Sequence, residues 1–248
     1  MKKNIIYGYN VIKELLISNP KMIYKIYITS KYIKYLIFDI IKKNKIIFKI
    51  KNIKYLNKIC NNKNNQGIIA YITNIKFYKI KKIINNINNY YKNPTIVIIN
   101  KLYNYKNFGN IIRNCVLLNV QCIIIPKNFF FFNIEIIQIS SGTFFKIPIC
   151  KVSSLKKIIF FLKKKKYKIF SLSNKKNNNY INNCNLNIPI VIILGNENKG
   201  IDNNILNISD KIIKIPMIYQ LSSLNVSNAS SIILYEIFKQ KLKYIKFF

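Results

Sequence analysis

From Thr95 onward the chain alternates short apolar runs with segments of helical periodicity, and this alternation constrains the fold more than any other feature. Most of the runs are almost continuously apolar, which is typical of parallel strands covered on both faces. Strands are predicted at 95–100, 121–126, 147–150, 167–172, 189–194 and 211–215. Helices are predicted at 107–118, 133–140, 153–164 and 202–207, and from about residue 224. The pattern predicts an α/β fold with an open, mostly parallel sheet and helices on both faces.

The rest of the chain falls into two further regions. Residues 1–73 alternate short helical and strand-like segments, which predicts a small α/β domain. Residues 74–94 are rich in Lys, Asn and Ile, show no clear apolar face and end at Pro94, so they are predicted to be a linker. The sheet then belongs to a domain of residues 95–248. The Asn-rich loop 61–67 fits an RNA-contacting edge and a solvated loop equally well.

The charge balance favours a polyanionic partner. The chain has 42 Lys and Arg against 7 Asp and Glu, a formal charge of +35. Part of this excess reflects codon drift, because the dominant residues Ile, Lys, Asn, Tyr and Phe are those of A/T-rich codons. So few acids remain to oppose the lysines that RNA or DNA is still the favoured partner.

The residues that are absent exclude several classes of site. The chain has no His, and its five Cys contain no Cys-x-x-Cys pair, so a structural metal site is not expected. Without His, Ser-His-Asp and Cys-His nucleophiles are excluded. Neither phosphate-binding glycine motif of NTPases or dinucleotide enzymes occurs. The apolar runs are far shorter than the roughly 20 residues of a membrane helix, and no secretory signal is evident, so a soluble cytoplasmic protein is expected.

Three loops that follow predicted strands contain the rarest residues of the chain. They are 107-NFGNIIR-113, 195-GNENKG-200 and 216-PMIYQLSSLNVS-227, and they include three of the six glycines, the acid Glu197 and the single arginine, Arg113. Codon drift favours Lys, so one retained Arg indicates a position that needs a planar, forked cation. In parallel sheets ligands bind at the carboxyl ends of the strands, where these loops lie. A cation, a carboxylate, amides and hydroxyls can position and polarise a substrate, which suits transfer from an activated cosubstrate.

In order and spacing, the three loops resemble the signature motifs of the SPOUT-class RNA 2′-O-ribose methyltransferases. The first motif is matched by Asn107, Gly109 and Arg113, and the second by Gly195, Glu197 and Gly200. The third is matched by the following residues: Ile215, Pro216, Met217, Ser223, Leu224, Asn225, Val226, Ser227 and Ala229. Near the N-terminus, 7-YGYNVIKELL-16 and 66-QGIIA-70 resemble the substrate-binding domain of the bacterial enzymes that methylate a guanosine ribose in 23S rRNA.

The resemblance implies a specific architecture and a set of partners. The C-terminal part of the sheet would be threaded into a deep trefoil knot, and the N-terminal domain would be L30e-like. The protein would be a homodimer that acts on 23S rRNA, with S-adenosyl-L-methionine as cofactor. A tRNA 2′-O-methyltransferase of the same class, or a non-catalytic RNA-binding protein of ribosome assembly, are the alternatives. The sequence does not identify the modified nucleotide.

The resemblance also assigns roles to individual residues. Arg113 would orient the ribose and its phosphate, with Asn107 and Glu197 holding Arg113 or the ribose in place. Gly195, Ile215 and Leu224 would contact the cofactor, and Asn225 would fix the loop or the cofactor. The chain departs from the family at several positions. Asn100 and Asn104 stand where acids are usual, Lys106 and Asn65 where His is usual, and Asn114 and Cys115 where small residues follow the arginine.

Overall fold

The alternation of strands and helices is present in a computed structural model, which describes residues 4–129, 133–174, 179–196, 199–218 and 224–242. By its internal contacts the described chain divides into two units. The first unit contains residues 4–76 and 133–146, and the second contains residues 77–129 and the described residues from 147 onward. Each unit is built around its own β-sheet.

The first unit is built on a four-stranded mixed sheet with the strand order β1-β4-β2-β3. Strands β1 and β2 run antiparallel to β4, and β3 runs parallel to β2. The elements are β1 (Asn4–Tyr7), α1 (Tyr9–Ser18), β2 (Ile23–Ile28), α2 (Leu36–Lys43), β3 (Phe48–Ile50), α3 (Ile53–Ile59) and β4 (Ile68–Ile72). Between β2 and α2, residues Ser30–Lys34 form a 3-10 turn.

The elements that follow along the chain mostly alternate between helix and strand, as the sequence predicts from Thr95 onward. They are α4 (Ile80–Tyr90), β5 (Thr95–Ile99), α5 (Tyr105–Leu117), β6 (Cys122–Pro126), α6 (Glu135–Ile139), β7 (Ile149–Val152), α7 (Leu155–Lys164), β8 (Lys168–Leu172), β9 (Ile190–Leu194), α8 (Asn203–Leu206), β10 (Lys211–Ile213) and α9 (Val226–Lys241). Six of these strands form a fully parallel sheet in the order β10-β8-β9-β5-β6-β7. The predicted α/β class and parallel sheet are confirmed, whereas the knot and the L30e likeness stay predictions.

The apolar runs form strands because both faces of the second sheet are filled. Every residue of β5 and of β9 is buried. On one face, Ile96 and Ile98 join a core cluster that also includes Ile84 and Ile87 of α4. The segment 74–94 therefore contains a packed helix, and the interpretation that it lacks an apolar face is wrong. Isoleucines at 80, 83, 84 and 87 have helical spacing, but the intervening Asn and Lys obscure the pattern.

The segment 133–146 follows β6 in sequence but clusters with the first unit. It includes α6 and a turn whose Gly142 has a φ of +82°. A side chain at Gly142 would place its Cβ 2.9 Å from the Cβ of Glu14 and 3.0 Å from the Cα of Val11, so only glycine allows this approach to α1. Lys146 Nζ lies 2.6 Å from a carboxylate oxygen of Glu14 and holds the same contact electrostatically.

Candidate active site

The segments that follow β5 and β9 meet at the carboxyl edge of the six-stranded sheet, whereas the first motif, predicted as a loop at 107–113, lies within α5. Strands β5 and β9 are parallel neighbours, and the backbone N–H of Asn100 extends their pairing by donating to Leu194 O at 2.9 Å. Beyond the strands, Asn196 Nδ2 donates to Lys101 O at 2.9 Å. Asn196 and Gly200 exchange two backbone hydrogen bonds, which close the second loop into a tight turn. The loop after β5 and the loop after β9 are therefore fixed to each other.

The third loop joins the first through two asparagines. Asn225 is the N-cap of α9, and its Oδ1 accepts from Ser227 N at 2.9 Å, as expected for this residue type. Asn225 Nδ2 donates to Asn107 Oδ1 at 3.2 Å, and Asn107 is only 7% exposed. The amides of the first and third motifs thus lie in direct contact, although 118 residues separate them in sequence.

A cluster of hydroxyls and one amide fixes the same pair of helices two turns further along α5. Asn114 lies seven residues after Asn107, on the same face of α5. Its Nδ2 lies within hydrogen-bonding distance of Ser227 O (3.2 Å), Ser230 Oγ (3.1 Å) and Ser231 Oγ (2.7 Å). Small residues of α9 allow α5 to approach closely enough for these bonds. Asn114, a departure from the family pattern, therefore packs α5 against α9.

Gly195 lies where two backbone segments nearly touch. A Cβ at this position would lie 2.5 Å from the carbonyl carbon of Gly200 and 2.8 Å from Ile201 N. Real Cβ atoms do not approach backbone atoms so closely, so the tight turn after β9 requires glycine here. The second motif thereby presents bare backbone at the sheet edge, and bare backbone allows a bound group to come close.

Asn100 is a buried polar residue with a side-chain N–H donor that makes no hydrogen bond. The residue is 2% exposed, and its Nδ2 has no hydrogen-bond partner. The next residue, Lys101, adopts the left-handed conformation with a φ of +57°, and its Nζ lies 2.8 Å from a carboxylate oxygen of Asp202. An unmade bond to a buried donor costs about 1–3 kcal/mol. A constrained turn therefore holds a buried N–H donor at the edge of the sheet.

The remaining predicted site residues are placed as follows. Arg113 lies on the exposed side of α5. Ile215 is buried at 8% exposure just after β10, whereas Leu224, directly before the Asn225 cap, is 37% exposed. Glu197 lies outside the described residues, as does Ser223 of the third motif. Asn104, which replaces a family acid, is the N-cap of α5 and accepts from Lys106 N at 2.9 Å.

The cysteines are structural. Burial raises the pKa of the Cys115 thiol, and a hydrogen bond to Cys150 together with burial holds the pKa of Cys122 well above its usual range. Neither thiol therefore provides a thiolate nucleophile near neutral pH. Among the residues that the structure describes, no three His, Cys, Asp or Glu side chains cluster as a metal site would require. In the same part of the chain, no helix has the length and apolar character to span a bilayer.

Sequence reasoning missed two residues that shape the site, Asn100 and Asn114. Both are ordinary asparagines in a chain rich in asparagine, so composition gives them no signal. The only available signal was their position, because each occupies a place where the resembling family usually has another residue.

Two family profiles match the chain. The profile of the SpoU rRNA Methylase family matches residues 94–235. The profile described as RNA 2′-O ribose methyltransferase substrate binding matches residues 5–78. Together the two matches cover both β-sheets.

Curated proteins and solved structures agree with these profiles. A protein of Staphylococcus haemolyticus, named as a TrmH family tRNA/rRNA methyltransferase, is 27% identical over 245 residues, which are 97% of this chain and 97% of that protein. The 23S rRNA (guanosine-2′-O-)-methyltransferase RlmB of Blochmanniella floridana is 27% identical over 256 residues, covering 96% of this chain and 95% of that protein. The SpoU methyltransferase AviRb of Streptomyces viridochromogenes, crystallised with AdoMet, shares the fold with a TM-score of 0.81 at 16% identity, over 97% of this chain and 91% of that chain.

Proposed function

Because the chain belongs to the SpoU rRNA methylase family and is an RNA 2′-O-methyltransferase, we propose that it transfers a methyl group from S-adenosyl-L-methionine to the ribose 2′-hydroxyl of a guanosine in 23S rRNA. The observation that carries the proposal is the hydrogen bond from Asn225 to Asn107, which joins the first and third motifs. Asn196 of the second motif donates to Lys101, in the segment that leads from β5 towards the first motif. The three motifs can therefore act on one bound donor and one bound ribose.

The residues at the sheet edge fit the methyl donor. S-adenosyl-L-methionine supplies an electrophilic methyl group on a sulfonium, so the protein needs to bind and orient rather than form a covalent intermediate. The glycine turn at Gly195 and Gly200 offers backbone groups, and Ile215 and Leu224 offer apolar surface. Asn225 would fix the third loop against this site. Asn100 adds a buried N–H donor that a carboxylate, hydroxyl or ring nitrogen of the methyl donor would satisfy.

Arg113 would act on the ribose rather than on the methyl donor. A guanidinium keeps its proton in proteins, so its contribution is to orient the phosphate and lower the pKa of the 2′-hydroxyl by its field. Its forked geometry suits a phosphate or carboxylate bidentately. Asn107 and Glu197 would hold the arginine or the ribose in position.

The substrate assignment to 23S rRNA draws on the relative from Blochmanniella floridana, whose name specifies a guanosine in that RNA. The substrate-binding profile over residues 5–78 also supports a large structured RNA as the target. The name of the staphylococcal relative includes tRNA, which keeps tRNA as the second candidate. An rRNA substrate would place the activity in the cytoplasm.

Ribose methylation mapped on 23S rRNA and on bulk tRNA, with and without the protein, separates these candidates. Methylation of one guanosine in 23S rRNA is the expected result, and methylation of tRNA alone would move the assignment to the second candidate. Isothermal titration with S-adenosyl-L-methionine tests the remaining alternative. A non-catalytic RNA-binding protein would give no heat and no methylation of either RNA.

We further propose that two copies associate through α5 and α9. Helix α5 exposes Leu117, four residues after Arg113, and α9 exposes Ile232 and Tyr235. Exposed apolar residues grouped on adjacent helices mark an interaction surface, and a second copy of the chain would cover them symmetrically. Sedimentation analysis should give a dimer that Tyr235→Glu converts to a monomer. A monomeric wild-type protein that methylates RNA would contradict this part of the proposal.

A further inference from the structure

The two faces of the four-stranded sheet in the first unit differ sharply in composition. The strand register places Ile6, Ala70 and Ile26 side by side on one face, and all three are fully buried. Helix α1 packs against β1 and β4, and Phe38 of α2 contacts Phe48, which pairs with Ile26 on this same face. One face of the sheet is therefore an ordinary apolar core.

The opposite face carries a row of tyrosines. The register places Ile5, Tyr71 and Lys25 side by side, and next to them Tyr7, Ile69 and Tyr27. We call the connected rings Tyr24, Tyr27, Tyr55 and Tyr71 the tyrosine face. Consecutive ring centroids are 5.9 Å apart for Tyr24 and Tyr71, 5.6 Å for Tyr71 and Tyr27, and 5.7 Å for Tyr27 and Tyr55. The four rings thus form one continuous aromatic surface.

Only part of the tyrosine face is covered. The short helix α3 places Leu56 and Cys60 over Tyr27 and Ile69, so Tyr27 is buried. Tyr24 and Tyr55, at the two ends of the row, remain 40% and 41% exposed. An uncovered pair of rings supported by buried rings provides rigid aromatic surface with little entropy to lose on binding.

The charge around the rings is positive. Lys25 Nζ lies 4.8 Å from the centroid of Tyr27, and Lys51 Nζ lies 5.1 Å from that of Tyr55. Neither lysine forms an ion pair with any residue that the structure describes. Of the three acids of the unit, Glu135 lies near Tyr7 on this face and is paired with Lys63, Glu14 is paired with Lys146, and Asp39 is on α2.

We propose that the tyrosine face, with Lys25 and Lys51, binds an unpaired stretch of the substrate RNA by stacking its bases. Exposed aromatic rings interleaved with cations match what single-stranded RNA presents, since every base has a π-face and every nucleotide carries a phosphate. A duplex hides its base faces and cannot use the rings. The inference rests on the proposed function, which identifies the bound polyanion as RNA. It adds that the tyrosine face is the surface that binds this RNA, and that the bound RNA is single-stranded.

Fluorescence anisotropy with a short single-stranded RNA, and with a duplex of the same sequence, tests the inference on the full chain without methyl donor. The double variant Tyr24→Ala, Tyr55→Ala should weaken single-strand binding by about 100-fold, because removing each stacked ring costs roughly 10-fold, while duplex binding is unchanged. The paired Tyr→Phe variant keeps both rings and should bind like wild type. Replacing Lys25 and Lys51 by Met should make the affinity less sensitive to salt, with the slope of log K against log salt reduced by about 0.7 for each phosphate that is no longer neutralised.

The matched control is Tyr90→Ala. Tyr90 is the tyrosine of α4 in the second unit and is 84% exposed, and its replacement should leave RNA affinity unchanged. Wild-type affinity in the double variant overturns the inference. An equal loss for duplex and single strand also overturns it, because charge without stacking would then explain binding. Photo-crosslinking of thiouridine-labelled RNA to the wild-type protein gives an independent result, and crosslinks confined to peptides outside Tyr24 and Tyr55 would contradict the stacking surface.

Failure of this inference and failure of the proposed function give different results. If the protein binds S-adenosyl-L-methionine and methylates rRNA while the tyrosine variants bind RNA normally, only the stacking surface is wrong. If the variants lose single-strand binding while no methyl donor binds and no RNA is methylated, the stacking surface stands and the proposed activity fails.

Discussion

The six-stranded sheet of the second unit is covered by apolar packing on both faces, whereas the four-stranded sheet of the first unit has one apolar face and one aromatic, basic face. In the second unit the central strands β5 and β9 are buried along their whole length, so a ligand can reach them only at their ends. The candidate site accordingly lies at the carboxyl edge, built from loops and helix starts. In the first unit the sheet surface itself is partly accessible. A fully covered sheet restricts chemistry to its edge, and a half-covered sheet can use a face for binding.

This difference predicts that methyl transfer and RNA affinity depend on different units. The largest difference between the effect on methyl transfer and the effect on RNA affinity is expected for Arg113→Lys, which keeps the charge and removes the forked geometry of the guanidinium. Single-turnover methylation should fall by about 100-fold or more, because the variant weakens both the positioning and the electrostatic stabilisation of the reacting oxygen. RNA affinity measured by anisotropy should stay at the wild-type level.

Wild-type turnover in the Arg113→Lys variant would remove the arginine from the proposed mechanism. A matched loss of RNA affinity and turnover would show instead that the two units do not separate binding from catalysis. Lys106→Met, a neighbouring cation of α5 outside the first motif, controls for a general loss of positive charge.

The sequence predicted the second unit well because each fold signal there has a single physical cause. A strand buried on both faces must be almost wholly apolar, so β5 and β9 can be recognised in the sequence as runs of isoleucine and valine. The contacts within the candidate site were harder to predict from the sequence. The motif resemblance assigned Asn107 and Asn225 to one site, but their contact, and the burial of Asn100 without a hydrogen-bond partner for its Nδ2, became visible only in the structure.

The first unit was predicted as a small α/β domain, but the use of its surfaces was not predicted. Tyrosines at positions 24, 27, 55 and 71 look like codon drift in a chain with 18 tyrosines. Their contact depends on strand register and on the irregular pairing between Ile23 and Lys25 in β2. Helix α4 was missed for a related reason, because its apolar residues are diluted by asparagine. Tertiary contacts, rather than local pattern, decide both cases.

A smaller effect is expected for Gly195→Ala, which tests whether methyl-donor binding depends on the second unit alone. The added methyl would overlap the backbone of Gly200, and overpacking of this kind costs about 1–3 kcal/mol. Binding of S-adenosyl-L-methionine should weaken by roughly 10-fold or more by isothermal titration, since about 1.4 kcal/mol corresponds to a factor of ten. RNA affinity should not change.

Gly200→Asn is the matched control for the glycine turn. A Cβ at Gly200 meets no atom within 4 Å, and Asn tolerates its φ of +67° better than other side chains. Methyl-donor binding close to wild type is expected for this variant. If Gly195→Ala binds the methyl donor normally, the glycine turn is a structural feature and not part of the cofactor site.

Lys241 gives the smallest expected effect and concerns only the stability of the second unit. Its Nζ is buried and donates to Asn93 O and Thr95 Oγ1, both at 2.8 Å, which ties the end of α9 to the start of β5. Burial lowers the pKa of Lys241 to about 7, while an unfolded lysine has a pKa of about 10.4. Between these values the unfolded state binds more protons, so the free energy of unfolding should rise with pH, by at most about 1.4 kcal/mol per unit.

Lys241→Met should remove this rise, and denaturant unfolding followed from about pH 7 to about pH 9 measures it. Lys239→Met, on the exposed side of α9, is the control and should keep the wild-type slope. A flat wild-type profile would mean that its hydrogen-bond acceptors keep Lys241 charged despite burial. The second unit would then keep a charged lysine buried, contrary to what we expect of a unit whose sheet is covered by apolar packing on both faces.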